Sequence, residues 1–437
     1  MTAPRAARRA LLPLLAVASV AACSPTPPAT DADGWTASTP PAPVVEPKPQ
    51  APEPDSRMQR NIDAMLQRLS RARGLQLRHG VEGVELERRE VTALLKAKAE
   101  RDLPPGVLEA QGELLKSFDL IAADYDFVAG LYAIVESNVA GFYDQDKERM
   151  YLLDDLPPKA QAETLAHELQ HALQDQHYDP KAKRKYRAGD MDRVTAAHAL
   201  CEGDALASQF EVMMGSPYAI DAGTLRFAMA AAVAMSASGG KTPRLLQSAL
   251  IAPYVDGLRL VRSLHERGGW AAVDAALAQP PESTEQLLHL DKLDAREPAI
   301  PVAEPVAPDA SWSRMDADVF GEQGLRLAFE QWAINEVAAQ AAAGWGGDRY
   351  AVFRRGDEHA VAWHLVFDDE AETELEPSLA SQQDSDTIFE AREEFGFQSH
   401  SNDRALAAYS GRAAKLAPFN FGSSLRSDPK STPPERH

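Results

Sequence analysis

Cysteine and positive charge are both scarce in this chain of 437 residues. The only cysteines are Cys23 and Cys201, and Cys23 adjoins a predicted cleavage site, so we expect no intramolecular disulfide in the folded part. Lysine and arginine number 45 against 65 acidic residues, and three of the basic residues lie in residues 1–22. The remaining chain therefore carries 42 basic against 65 acidic side chains, which excludes nucleic acid and anionic lipid surfaces as expected partners.

Long apolar runs are also missing from the sequence. The apolar stretch Ala10–Val20 is too short for the roughly 20 residues that a membrane-spanning helix needs. The stretch Arg226–Ser236, rich in alanine and methionine, is too short as well and is expected to form a core helix. No internal repeat is evident. The 44% of apolar residues nevertheless suffice for a substantial core.

Residues 1–22 have the pattern of a secretion signal, with a basic start, an apolar centre and small residues before Cys23. The run Val20-Ala21-Ala22-Cys23 resembles a bacterial lipobox. This resemblance implies that the signal is removed and that Cys23 becomes a lipidated N-terminus. An ordinary cleaved signal with an incidental cysteine is the alternative.

Residues 23–56 are rich in proline, alanine, threonine and acidic residues, and this composition predicts an extended tether. Ser24 directly follows the cysteine, which resembles lipoproteins sent to the outer membrane of Gram-negative cells. We therefore expect an extracytoplasmic protein that is lipid-anchored to the cell envelope. Its contact with a membrane would be through the N-terminal lipid only.

The central motif of the chain is an H-E-x-x-H sequence formed by His167, Glu168 and His171. Leucines and alanines recur at helical spacing through Ala160–Tyr178, and no glycine or proline interrupts them. On a helix, two histidines four residues apart lie roughly 40° from each other around the axis, so both can bind one metal ion. Glu168 falls on the same side, beside the metal. There it can take a proton from a zinc-bound water whose pKa is lowered to about 7.

We therefore predict that His167 and His171 bind a zinc ion (Zn2+) and that Glu168 is the catalytic base. The alternative is an exposed helix on which these polar residues serve solubility. A third protein ligand is required, and Glu202 is favoured because it lies on a second predicted helix, Asp192–Met214. His177 is the competitor. It has the spacing of a third histidine, but Gln174 stands where that pattern has a helix-breaking glycine, so His177 would point away.

Four further residues are candidates near this site. Asp204 is either a carboxylate that orients a ligand histidine or a helix-surface charge. His198 lies one turn before Glu202, and Cys201 is adjacent to it, but we favour ordinary structural roles for both. His289 follows a predicted helix start at Ser283 or Thr284 and could donate a hydrogen bond to an oxyanion, although a structural role is favoured.

Two flanking regions complete the prediction. A β-hairpin with strands Gly141–Asp144 and Met150–Leu153 precedes the motif helix and is expected either to receive a substrate strand or only to pack. After a proline-rich boundary, we predict a helix over 321–343, strands over 350–353 and 360–367, and a helix over 387–395. The predicted divisions are a signal peptide (1–22), a tether (23–56), a catalytic domain (57–300), a C-terminal α+β segment (301–422) and a disordered tail (423–437).

Several motifs resemble bacterial H-E-x-x-H metallopeptidase-like proteins of the gluzincin type. They are HELQHALQDQHY at 167–178, ALCEGDA at 199–205, PPESTEQLLH at 280–289 and GWGGDR at 344–349. The similarity extends from about Val135 to His289.

This resemblance implies a zincin-like core within a mainly helical α+β fold, with Glu202 as third zinc ligand beside the two motif histidines. Thermolysin-like gluzincins carry aspartate four residues after that glutamate. Here the position is Leu206, so any supporting role would move to Asp204 or elsewhere.

The sequence thus predicts a lipid-anchored zinc metallopeptidase that hydrolyses proteins or peptides outside the cytoplasm. One alternative is a non-enzymatic envelope lipoprotein whose structural zinc site supports binding of protein or cell-wall material. A closed set of four protein ligands would favour that alternative, and an open water position would favour the enzyme. Hydrolysis of a non-protein amide, such as a peptidoglycan cross-link, differs in substrate only.

Overall fold

The computed structural model describes residues 57–184, 187–236 and 239–368, together with the backbone of two later strands. The fold is mainly helical with two small sheets, which confirms the predicted mainly helical α+β class. The predicted signal peptide, Cys23, the tether, the helix over 387–395 and the C-terminal tail lie outside the described residues. Within the described part, none of the helices combines the length and apolar character needed to cross a bilayer.

The N-terminal half alternates helices with one small sheet. Its elements are α1 (Arg57–Arg73), β1 (Glu82–Leu86), α2 (Arg88–Asp102), α3 (Val107–Ser117), α4 (Phe127–Asn138), β2 (Gly141–Asp144), β3 (Arg149–Leu153), α5 (Pro158–Tyr178) and α6 (Pro180–Lys183). The later elements are α7 (Met191–Met214), α8 (Ala222–Met235), α9 (Arg244–Ala278), α10 (Thr284–Leu288), α11 (Leu290–Ala295), β4 (Ser313–Asp318), α12 (Gly321–Phe329), α13 (Asn335–Ala342), β5 (Trp345–Arg355), β6 (Glu358–Phe367), β7 (Gln398–Ser399) and β8 (Ala405–Gly411).

The predicted hairpin is confirmed. Strands β2 and β3 pair antiparallel, with Gly141 opposite Leu152 and Asp144 opposite Arg149. Strand β1, which was not predicted, adds to β3 in parallel and gives the strand order β1-β3-β2. Among the described strands, β2 is therefore an edge strand, and it lies against α5.

Helices α5 and α7 form the centre of the core, and both were predicted to within two residues. Pro158 begins α5 at a position where its missing N–H costs no helical hydrogen bond. Every residue of α5 from Thr164 to Gln174 is buried, as is every residue of α7 from Ala196 to Phe210. The polar side chains within these stretches therefore need partners inside the protein.

Two glycines bring α7 and α9 unusually close. A Cβ atom added to Gly257 would lie 1.8 Å from the carbonyl oxygen of Ala199, and one added to Gly203 would lie 2.1 Å from the carbonyl carbon of Gly257. Real Cβ atoms do not approach other atoms so closely. Since Gly203 follows Glu202 directly, this backbone contact also fixes how deeply Glu202 lies in the core.

The C-terminal sheet has the strand order β4-β5-β6-β8-β7. The predicted strands around Gly356 and Asp357 are confirmed as β5 and β6, which are longer than predicted. The helix expected over 321–343 is instead two helices, α12 and α13, because the backbone is extended at Ile334. No proline or glycine marks this interruption in the sequence.

Asp348 links β5 to the start of α12. Its buried carboxylate accepts hydrogen bonds from the backbone N–H groups of Phe320 and Gly321 at 2.8 and 2.9 Å. It also accepts one from each indole N–H of Trp345 and Trp363, both at 2.9 Å. Side chains of α12, β5 and β6 belong to the same cluster of buried residues as those of α5 and α7.

The contact between Gly203 and Gly257 predicts a large effect of a small substitution. In Gly257→Ala, the added methyl group would force α9 away from α7. Alanine is the better helix former by about 0.8–1.0 kcal/mol, so propensity alone would stabilise the variant. We expect instead that the free energy of unfolding, measured by urea denaturation, falls by about 1–3 kcal/mol.

Gly80→Ala provides the matched control, since no atom lies within 4 Å of a Cβ built at Gly80. Its free energy of unfolding should stay within about 0.5 kcal/mol of the wild type. Wild-type stability of Gly257→Ala would contradict the close approach of the two helices.

Candidate metal centre

Helices α5 and α7 bring three of the predicted site residues together in the core. The Nε2 atom of His167 lies 3.0 Å from Oε2 of Glu202, and Nε2 of His171 lies 3.5 Å from the same oxygen. One potential ligand atom from each of the three residues lies within 4.8 Å of the others. His167, His171 and Glu202 are all buried, so water competes little for these atoms.

The donor set and its spacing fit a zinc ion. Tetrahedral zinc with ligands at about 2.0–2.1 Å places neighbouring ligand atoms roughly 3.3 Å apart. The two nitrogen–oxygen distances in this cluster, 3.0 and 3.5 Å, lie on either side of that value. Two imidazoles and one carboxylate are also the ligands of catalytic zinc sites that leave one position for water.

Gln174 determines which nitrogen of His171 carries the proton. The amide nitrogen of Gln174 donates to the carbonyl oxygen of Cys201 at 2.9 Å and to Oδ2 of Asp204 at 2.8 Å. The amide oxygen of Gln174 is therefore the atom 3.0 Å from Nδ1 of His171, and Nδ1 must be the donor. In a neutral His171, the lone pair is thus on Nε2, which lies opposite the carboxylate of Glu202.

Asp204 is the centre of a buried network behind His171. Besides Gln174, its carboxylate accepts a hydrogen bond from Gln170 at 2.8 Å and pairs with Nε of Arg73 at 2.6 Å. Arg73 in turn pairs with Asp274 at 2.6 Å. Asp204 therefore contacts His171 only through Gln174.

Glu168 lies outside the group of potential ligands but next to it. Its Oε2 accepts a hydrogen bond from the backbone N–H of Tyr143, on the edge strand β2, at 3.0 Å. Burial raises the pKa of Glu168 to about 8, the charge of Glu202 adds to this rise, and a proton on His167 would oppose it. A carboxyl group with such a pKa can exchange a proton near neutral pH.

The pKa of Glu202 is displaced in the opposite direction. Burial alone would raise it, but positive charge at the facing imidazole, above all a proton on His171, holds it well below its ordinary value. Glu202 is therefore an anion in the core. The pKa of Glu168 is thus raised and that of its neighbour Glu202 is lowered. This pattern recurs in active sites where one carboxyl group exchanges protons and the other stays ionised.

His198 lies beside Glu202 without belonging to the group of potential ligands. Its Nδ1 is 3.5 Å from Oε1 of Glu202 and accepts a hydrogen bond from Arg184 at 3.1 Å. Because Nδ1 accepts from a guanidinium, the ring is neutral, and burial lowers the pKa of His198 to about 4. His198 therefore supports the surroundings of Glu202.

The other candidates have partners elsewhere. His177 contacts the carbonyl oxygen of Gln76 at 2.7 Å, so it points away from the cluster as helix geometry predicted. His289 pairs with Glu322 on α12 at 2.8 Å, and we assign it no role in binding an oxyanion. Cys201 is a buried free thiol whose pKa is raised by burial to about 11, which suits a structural residue.

A second group of carboxylates is geometrically able to hold a cation, but it already surrounds a lysine. Glu285, Glu297 and Asp368 lie close together, and the ammonium group of Lys292 contacts all three. Its nitrogen is 3.2 Å from Glu285 and 2.5 Å from Glu297. This group is an ion-pair cluster and needs no metal.

Two features of the metal centre were missed in the sequence analysis. Gln174 was considered only as the residue that excludes His177, although its place one turn after His171 allows a contact with that histidine. Arg73 lies on α1, 131 residues before Asp204, and no local pattern connects the two. Buried arginines acquire their partners through tertiary packing.

Comparison with known proteins adds one match. Residues 309–384 match a family described as a domain of unknown function (DUF8575). This region begins after α11 and includes β4 to β6, so it does not contain the metal cluster. No curated protein and no solved structure matches the chain. Function is therefore inferred from the residues of the site.

The bridge from Gln174 to His171 predicts a loss of zinc affinity when it is removed. In Gln174→Met, the side-chain volume is kept, but Nδ1 of His171 loses its acceptor and the ring loses its fixed orientation. We expect zinc to bind about 10- to 100-fold more weakly, measured by competition with a chromophoric chelator.

Gln176→Met is the matched control. Gln176 is also a buried glutamine of α5, but it bonds the backbone of Arg78 and His79 and does not contact the cluster. This variant should bind zinc as the wild type does. Equal affinities for the two variants would show that Gln174 does not orient His171.

Proposed function

We propose that this protein is a zinc metallopeptidase with a zincin-like core, in which His167, His171 and Glu202 hold the metal and Glu168 is the general base. The observation that carries the proposal is the orientation of His171. Gln174 fixes its proton on Nδ1, so a neutral ring directs the Nε2 lone pair at the carboxylate oxygen of Glu202, 3.5 Å away. Two electron-rich groups face each other stably only with a cation between them or a proton on the ring.

A zinc ion fits this position, and the sequence motif favours zinc over a proton. When bound, zinc would polarise a substrate carbonyl and lower the pKa of water at its open position to about 7. The three protein ligands would leave that position free. Glu168 would be beside it because His167 is the preceding residue of the same helix.

Glu168 would carry out the proton transfers of hydrolysis. Its carboxylate is held by the N–H of Tyr143 and so keeps a fixed place next to the cluster. It would take a proton from the water that attacks the carbonyl carbon and pass it to the leaving nitrogen as the C–N bond breaks. The carboxylate is regenerated in that second transfer.

A peptide backbone could be added along the edge strand β2 only if the residues that cover it moved, because all four residues of β2 are buried. The strand pairs with β3 on one side, and its residue Tyr143 already uses its N–H to bind the proposed base. An extended substrate added along β2 would therefore pass close to Glu168. Protein or peptide substrates are therefore part of the proposal, and a peptidoglycan amide could be attacked by the same groups.

One observation favours the rival function, a structural zinc site in a non-enzymatic envelope lipoprotein. His167 and Glu168 are each only 2% exposed, and Glu202 is 1% exposed. His171, at 8%, is the most accessible member of the group. Substrate would thus have to approach from the side of His171, or the residues that cover the cluster would have to move.

The lipid anchor at Cys23 and the location in the cell envelope are part of the same proposal. They depend on residues 1–56, which lie outside the described residues. A protein tethered in this way would act on proteins or peptides that reach the envelope.

The function is tested with Glu168→Gln and Glu202→Ala beside the wild type. We expect the wild type and Glu168→Gln to bind one zinc ion, measured by mass spectrometry, because Glu168 is not a ligand. Only the wild type should cleave a mixed peptide library. Loss of a general base typically slows such chemistry by about 10²- to 10⁴-fold. Glu202→Ala should lose the metal.

Peptidoglycan fragments are assayed in parallel with the peptide library, which shows whether the protein hydrolyses peptide bonds or peptidoglycan amides. Zinc in the wild type without cleavage of either substrate would favour the structural rival. Cleavage by Glu168→Gln at the wild-type rate would contradict the assigned base, and absence of zinc from the wild type would contradict the whole proposal.

A further inference from the structure

Helix α9 is broken near its C-terminal end, and the part after the break contacts α1. Gly268 and Gly269 have non-helical backbone angles, and φ of Gly269 is +64°, a positive value that favours glycine. The helix resumes at Trp270 and carries Asp274 four residues later. Residues four apart lie on one face of a helix, so both side chains can reach the same partner.

That partner is Arg73, the last residue of α1. Its guanidinium lies 4.3 Å from the centre of the Trp270 ring, and its Nη2 lies 2.6 Å from Oδ1 of Asp274. Arg73 is only 1% exposed, whereas the side chain of Asp274 is 37% exposed. Through Asp274, the buried network behind His171 thus reaches the solvent.

Asp274 determines how Arg73 can bind Asp204. Arg73 uses Nε for Oδ1 of Asp204 and Nη2 for Asp274. The other oxygen of Asp204, Oδ2, is thereby left to the side-chain amides of Gln170 and Gln174, which each donate to it at 2.8 Å. Without Asp274, the guanidinium would be free to form two parallel N–H bonds with Asp204, as arginine–carboxylate pairs frequently do. Oδ2 would then have three donors instead of two, and its hydrogen bond with Gln174 would weaken.

From these contacts we infer that Asp274 is a positioning residue for the metal centre. Its ion pair with Arg73 keeps one oxygen of Asp204 available to Gln174. Gln174 in turn accepts the hydrogen bond that orients His171. The inference rests on the proposed zinc site, in which His171 is a ligand. It adds a solvent-facing residue, outside α5 and α7, that controls how tightly the metal is held.

The test compares the zinc affinities of full-length variants, measured by competition with a chromophoric chelator. Asp274→Ala should bind zinc about 3- to 10-fold more weakly, a smaller loss than for a residue that contacts a ligand histidine. Arg73 keeps Asp204 as a partner in this variant, so no buried charge is left unpaired and the protein should fold. Asp274→Glu, which keeps the carboxylate, should recover part of the affinity.

A double-mutant cycle separates this route from a general loss of charge. Removal of a negative charge weakens the binding of any nearby cation, and that effect would add to the loss caused by Gln174→Met. If Asp274 acts through Gln174, Asp274→Ala should lower the affinity of Gln174→Met by less than about twofold. An equal loss in both backgrounds, or wild-type affinity of Asp274→Ala, would overturn the inference.

Two further variants are the controls. Asp294→Asn also removes a negative charge, but it breaks only an exposed ion pair with Arg267. Tyr178→Phe removes the hydrogen bond between Tyr178 and Asp274 and keeps the pair with Arg73. Both should bind zinc as the wild type does. A loss in Tyr178→Phe equal to that in Asp274→Ala would assign the effect to the end of α5 and overturn the route through Arg73.

The orientation of His171 is also measured without metal, from the imidazole N–H signals in the NMR spectrum of histidine-labelled protein. The Nδ1–H signal of His171 should shift in Asp274→Ala and keep its wild-type position in Asp294→Asn. This measurement requires neither zinc nor catalysis, so it distinguishes the inference from the proposed function. An unshifted signal would overturn the inference even in an active zinc peptidase. A shifted signal and weakened zinc binding, in a protein that cleaves no peptide, would support the inference and contradict the proposed function alone.

Discussion

The carboxylate of Glu202 is the constraint on which the rest of the site depends. It is an anion placed almost fully inside the core, and a buried charge is tolerated only when opposite charge and hydrogen bonds surround it. Two imidazoles from α5 provide part of this environment, and a cation shared among the three side chains would provide the rest. The position of Glu202 is set by the backbone contact at Gly203 and Gly257, where any side chain would separate the helices.

The orientation of the His171 imidazole is set by residues that do not touch the metal position. Arg73 forms a salt bridge with Asp204, and Asp204 accepts a hydrogen bond from the amide nitrogen of Gln174. The amide oxygen of Gln174 in turn accepts a hydrogen bond from His171. Each member of this series is buried, so an alternative arrangement would leave a charge or a polar group without a partner. These contacts fix the orientation of the His171 ring as soon as the core is folded. They also explain how a site with few direct ligands can be well ordered before a metal binds.

Much of this arrangement could be predicted from the sequence, because the relevant signals are local. Helical spacing identified α5 and α7, and the four-residue separation of His167 and His171 places both on one face. Glu202 was selected because a metal site needs a third ligand and a second helix offered a carboxylate. The hairpin before α5 was visible as two short apolar runs around a polar turn.

Interactions that depend on tertiary packing were missed. Strand β1 carries no pattern that distinguishes it from a loop, and it is a strand only because β3 lies beside it. The salt bridge of Arg73 with Asp204 joins residues 131 positions apart. The interruption between α12 and α13 has no helix-breaking residue, and the partner of His289 lies on another helix.

The most direct measurement of the central claim is X-ray absorption spectroscopy at the zinc edge of the metal-loaded protein. The expected spectrum has two imidazole ligands and further oxygen ligands, all at about 2.0–2.1 Å, with four ligands in total. Three imidazoles would make His198 or His177 a ligand in place of Glu202 or water. A sulfur ligand at about 2.3 Å would assign that role to Cys201. Either result would contradict an open site formed by His167, His171 and Glu202.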